Sequence, residues 1–97
     1  GYLFDWDPRK ATANRRKHRI SFEEATTAFS DPLALLKPDP DHSVDEQRYL
    51  VLGMSDRQRL IVVAFVERPP RTRLISARHA TRSERRKYEE EPGKTEG

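Results

Sequence analysis

Cysteine is absent from these 97 residues, which excludes disulfide scaffolds, thiolate nucleophiles and thiolate-bound metal. Glycine is scarce, with four in the chain, and none builds a glycine-rich loop able to cradle phosphate. No apolar run approaches the length of a membrane span and no charged-then-apolar leader opens the sequence, so a cytoplasmic location without a membrane partner is expected. Three scattered histidines without cysteine make no zinc set. The stretch Asp39, Asp41, His42 and Asp45 lacks the glycine and the closing glutamate of a calcium hand. No metal and no cofactor is expected.

What the chain has in quantity is charge. Charged residues make up 36% of it and apolar ones 34%, yet the apolar residues cluster in blocks, as in a folded domain with one thin core. The net charge of +3 hides an uneven distribution. Residues 9–19 carry six cations and no acid, a local +6. Residues 68–88 carry eight cations against Glu84 alone, a local +7. Between them, residues 31–50 hold five acids against Lys37 and Arg48, a local −3. Two basic blocks on so small a body point to a polyanion, nucleic acid first, although such blocks also serve as plain solvated helix faces.

The order of elements is legible from caps and periodicity. Residues 3–6 read as a short strand. Asp7-Pro8 starts a helix to about Arg19 that is nearly bare of apolar groups. Ser21 with Glu24 is a capping box opening a second helix, whose Phe22, Ala25, Thr26 and Phe29 recur on one face until Asp31-Pro32 ends it. Leu33 to Leu36 is a short extended run, and 37–46 a polar, proline-punctuated loop. Strands follow at 47–55 and 60–67, the second apolar on both faces and therefore central. After Pro69-Pro70, residues 71–77 alternate Arg71, Arg73 and Ile75 against Thr72, Leu74 and Ser76. Thr81 with Glu84 opens a last helix whose only large apolar side chain is Tyr88. The expectation is one α+β domain over 3–91 with a flexible tail at 92–97. Its small antiparallel sheet has three to four strands, with two helices before it and one after.

The segment from Glu67 to Tyr88 holds a carboxylate, guanidiniums, an imidazole and a phenol. Metal-free RNA cleavage needs such groups: a base for the 2′-hydroxyl, cations for the phosphate, an acid for the leaving oxygen. Glu67 or His79 can serve as base, Arg73 and Arg78 as clamps, His79 or Tyr88 as acid. Against this stands a plain cross-strand ion pair of Glu67 with Arg71 or Arg73. Within the basic blocks Lys10, Arg16, Lys17, His18, Arg82 and Arg85 are the candidate RNA contacts, although Lys17 and His18 also simply complement a helix dipole.

Taken together, Phe4-Asp5-Trp6-Asp7-Pro8-Arg9-Lys10, Asn14, Lys17-His18, Ser21-Phe22-Glu23-Glu24-Ala25, Phe29-Ser30-Asp31-Pro32 and Ile75-Ser76-Ala77-Arg78-His79-Ala80-Thr81 with Glu84-Arg85 and Tyr88 resemble the BrnT family. These are the toxin halves of bacterial BrnT–BrnA toxin–antitoxin pairs, and the resemblance runs over residues 4–88. It implies a RelE-like fold and a ribonuclease activity that arrests translation. It also implies a tight complex with a BrnA-type antitoxin, which alone would contact operator DNA. By motif, Lys17-His18, Glu67, Arg73 and Ser76-Ala77-Arg78 fall where the family's charged site lies. Two positions depart from the pattern: Arg19 stands where glycine often follows Lys-His, and His79 where a second basic residue commonly follows Ser-Ala-Arg. The rival expectation is a non-catalytic nucleic-acid-binding co-repressor or interaction module.

Overall fold

Seven consecutive apolar residues, Leu60 to Val66, are accommodated only where both faces of their strand are covered, and the fold is arranged around them. In the computed structural model, which describes residues 2–39, 41 and 45–90, β1 is Phe4–Asp5, β2 Leu35–Pro38, β3 Arg48–Met54, β4 Leu60–Arg68 and β5 Arg71–His79. The helices are α1 (Pro8–His18), α2 (Phe22–Thr27), continued by a 3-10 turn over Ala28–Ser30, and α3 (Arg82–Glu90). The sheet order β1-β5-β4-β3-β2 puts β4 in the middle, with Leu60 to Val66 all buried.

The sheet has five strands, not three to four. β2 to β5 form an antiparallel meander, and the two-residue β1 adds to β5 in parallel, with the Thr72 amide donating to the Leu3 carbonyl at 2.7 Å. The alternation expected in β5 is also broken. Ala64 faces Ser76 while the next residue, Phe65, faces Leu74, so Ile75 is the extra residue of a bulge. Leu74 and Ala77 consequently share one face, and Arg73, Ser76 and Arg78 the other.

Each face has its own core. Ile61, Val63, Phe65, Leu74 and Ala77 pack under α1, α2 and the 3-10 turn with Ile20, Phe22, Ala25 and Ala28, and Trp6 and Phe29 join them partly buried. Gly53 is required here, since a Cβ would lie 2.7 Å from the Ala28 carbonyl oxygen. Across the sheet, Leu52, Leu60 and Val62 pack beneath Tyr88 of α3. His42, part of the 37–46 loop and the tail from Pro92 lie outside the described residues. Among the described residues no helix is long and apolar enough to cross a membrane.

Candidate nucleic-acid and catalytic site

Helix α1 has almost no apolar face with which to dock, so a polar contact fixes its position. Asp7 caps it, accepting from the Arg9 amide at 2.9 Å. Buried Asn14 then meets the outer edge of β5: its Nδ2 donates to the carbonyls of Ala77 (2.9 Å) and Ile20 (3.0 Å), and its Oδ1 accepts from the Ala77 amide (3.0 Å). A carboxamide carries the donor and acceptor of a peptide group, so Asn14 pairs with β5 as a neighbouring strand would. One turn later Lys17 and His18 arrive beside the end of β5. Arg19 stops the helix in the left-handed conformation (φ 61°), its amide donating to the Arg15 carbonyl. That is the conformation in which glycine is commonly found, and arginine adopts it here at some cost.

The structure divides the expected catalytic residues between the two ends of the sheet. Glu67 pairs in register with Thr72, and Arg73 with Val66, so the two point to opposite faces. Glu67 accepts from the Thr72 hydroxyl at 2.8 Å, whereas Arg73 pairs with Asp5 at 3.3 Å. Neither the shared Glu67–Arg73 centre nor the cross-strand ion pair forms. His79 lies opposite Ile61, six residues along β4 from Glu67, or about 20 Å. Glu67 and His79 therefore cannot act on one phosphate. Tyr88, expected as an acid, is buried and donates to Asp31 Oδ2 at 2.6 Å; burial first and then Asp31 push its hydroxyl up to about 12. It anchors α3.

The end of β5 does bring groups together. The last turn of α1 lies near enough to this strand end for charges to be felt across it: the His18 imidazole lies below its ordinary value of 6.5, through burial first and then the charges of Lys17, Arg78 and His79. Arg78 lies on the opposite sheet face from His79 and forks onto Glu84, at 2.8 and 2.9 Å. Glu84 also completes the capping box of α3, accepting from the Thr81 amide while Thr81 Oγ1 accepts from the Glu84 amide. The Arg78 guanidinium holds the Glu84 carboxyl down to about 2. Lys10, Arg82 and Arg85 are exposed on α1 and α3, with Arg85 4.0 Å from Glu89.

Around the corner of α1 lies an open groove of ≈ 940 Å³ whose lining includes Arg15, Arg16, Arg19, Arg57 and Arg59. Only Arg16 of these was expected to touch RNA. Arg57 and Arg59 come from the β3–β4 turn, and nothing local in the sequence signals that this turn reaches α1. Their neighbour Glu24 is buried and held below its usual carboxylate range, first by the Arg59 side chain. Its role therefore departs from the expected capping box: Ser21 Oγ accepts from the Glu24 amide, but the carboxylate turns to Arg59 and Ser55 instead.

A crystal structure of the Brucella abortus ribonuclease toxin BrnT has the same fold, with a TM-score of 0.66 at 24% identity, covering 84% of this chain and 100% of that one. No protein of curated function matches the sequence. The family model described as "Ribonuclease toxin, BrnT, of type II toxin-antitoxin system" matches residues 6–84, most of the chain, from α1 through β5 to the first turn of α3. The chain therefore belongs to the BrnT family of ribonuclease toxins of type II toxin–antitoxin systems.

Proposed function

We propose that the chain is a metal-independent endoribonuclease whose reacting centre lies where the last turn of α1 meets the end of β5. The observation that carries the reading is the docking of α1 on β5 through Asn14 and Ala77, which brings the turn with Lys17 and His18 to the strand end with Arg78 and His79, near enough for their charges to act on His18. Cleavage by internal attack needs a base, an acid and cations aimed at the phosphate. His18, kept neutral near pH 7 by burial and adjacent cations, suits the base that takes the 2′-hydroxyl proton. His79, exposed at the strand end, suits the acid that protonates the leaving 5′-oxygen. Lys17 and Arg78 stabilise the charge that grows on the phosphoryl oxygens. Arg78 reaches the phosphate by exchanging the Glu84 carboxylate for it, a swap that its planar fork permits. Glu67 and Arg73, at the far end of the sheet, and Tyr88, under α3, have no part in the proton transfers. Lys10, Arg82 and Arg85 extend the cationic track for the strand.

Within this reading the cleaved RNA is the cause of arrested translation in a RelE-like manner. The neutralising partner is a BrnA-type antitoxin that contacts operator DNA on behalf of the pair, and the setting is the cytoplasm. The test is incubation of purified protein with a defined RNA in EDTA, followed by mapping of the product ends. We expect 2′,3′-cyclic phosphates, with His18→Asn and His79→Asn each slowing cleavage by about 10²- to 10⁴-fold. Cleavage that stops in EDTA, or that continues undiminished in both variants, rejects the mechanism.

A further inference from the structure

The two basic blocks have different fates in the folded chain. In the second, Arg68, Arg73, Arg78 and Arg85 each face a carboxylate, Glu46, Asp5, Glu84 and Glu89, while Arg71, Arg82, Arg86 and Lys87 have no ion pair among the described residues. In the first, no ion pair among the described residues involves Arg15, Arg16 or Arg19, and none involves Arg57. Those four line the groove. Guanidiniums gathered around a lining whose only carboxylate is Glu23 still repel one another, and a bound polyanion relieves that repulsion.

The groove is also braced. Arg59 is held by Glu24 through Nε at 2.9 Å and through Nη2, and its Nη2 donates onward to the Arg19 carbonyl at 3.1 Å. Glu24 accepts from the Ser55 hydroxyl at 2.7 Å, and the Asp56 amide donates to the Thr27 hydroxyl at 2.9 Å. These bonds tie the turn carrying Arg57 to the α1–α2 junction carrying Arg19. Arg15 and Arg19 stand one helical turn apart, about 6 Å along the axis.

We propose that this groove is a docking site for the phosphate backbone of RNA, distinct from the reacting centre. Arg15, Arg19 and Arg57 grip neighbouring phosphates, Arg16 holds the rim, and Arg59 is a positioning residue that braces the other four. The proposal takes RNA as the strand because it rests on the ribonuclease reading. Since His18 shares the last turn of α1 with Arg15 and Arg16, a strand leaving the groove passes the imidazoles. An acidic protein segment fits less well. Apart from the arginines the lining is Thr12, Ser21 and Glu23, with no apolar pocket for the anchor that protein interfaces depend on.

The experiment titrates a fluorescent oligoribonucleotide, 2′-O-methylated throughout so that it cannot be cleaved, against the full chain over a range of salt concentrations. The double variant Arg15→Gln/Arg57→Gln should bind roughly ten-fold more weakly or worse, with a salt slope smaller by about 0.7 for each lost phosphate contact. Thr12→Glu, which removes no arginine and lies on an exposed helix face, should weaken binding in the same direction. Unchanged affinity and slope in both variants overturn the proposal. It is equally overturned if the variants keep RNA affinity but lose the cognate antitoxin, which makes the groove a protein interface. Should the wild type leave ordinary RNA intact while the variants still lose the methylated strand, the ribonuclease reading fails and the groove stands.

Discussion

At the scale of single residues, Asn14 bears more of the architecture than any other polar side chain of α1. Its amide satisfies two buried carbonyls and one buried amide, and each would be left unpaired by Asn14→Ala. A cost of about 2–4 kcal/mol is expected, measurable as a shift in denaturant midpoint. Arg19 is the opposite case, a residue kept in spite of its backbone. Arg19→Gly removes the left-handed penalty (φ 61°) and should raise stability by about 1 kcal/mol, or about 4–8 °C in Tm, while weakening RNA binding. His18 sets a pH signature. Its folded value lies below 6.5, so the acid limb of kcat/KM should fall below pH 6.5 and vanish in His18→Asn.

At the scale of elements, α3 shows how a helix with one large apolar side chain stays on a sheet. The ring of Tyr88 supplies burial over Leu52, Leu60 and Val62, its hydroxyl bonds Asp31, and Glu84 joins the helix start to Arg78. Both polar contacts titrate, with opposite signs. The Glu84 value is depressed from 4.5 to about 2; its contribution is complete above pH 4.5 and lost as pH falls through 2. The Tyr88 value is raised from 10.0 to about 12; its contribution is complete below pH 10 and lost as pH rises through 12. Amide exchange in α3 should accelerate at both extremes. Tyr88→Phe, which keeps the ring, should remove the alkaline limb at a cost of about 1 kcal/mol.

At the scale of the whole molecule, cations outnumber carboxylates at one end of the sheet, although Glu23, Glu24 and Glu84 stand among them. The α1 C-terminus, the β3–β4 turn and the end of β5 place Arg15, Arg16, Lys17, Arg19, Arg57 and Arg78 at one end, with Glu67, Asp5 and Glu46 at the other, beside Arg68 and Arg73. Concentrated like charge draws a polyanion quickly and costs the free protein stability. A type II toxin has an antitoxin partner, and a partner that binds only the folded state stabilises it by mass action. Titration with the cognate antitoxin should therefore raise the Tm of this chain in a concentration-dependent way; an unchanged Tm would count against the strain attributed to its basic end.

The one-dimensional order of residues determined whatever depends on neighbours in the chain: the caps at Asp7, Ser21 and Thr81, and the central placement of the doubly apolar Leu60–Val66 run. The position of Arg19 was marked only through the family resemblance, in which glycine often follows Lys-His; the structure gives it the left-handed backbone. The site was not. Whether Glu67 and Arg73 share a face depends on which residue pairs with which across two strands, and no count along one strand reveals that register. The bulge at Ile75 likewise reverses an alternation that looked regular. Only the tertiary structure decided which arginines have carboxylates and which do not, because Arg15 and Arg57, far apart in sequence, become neighbours through the packing of α1 and the β3–β4 turn.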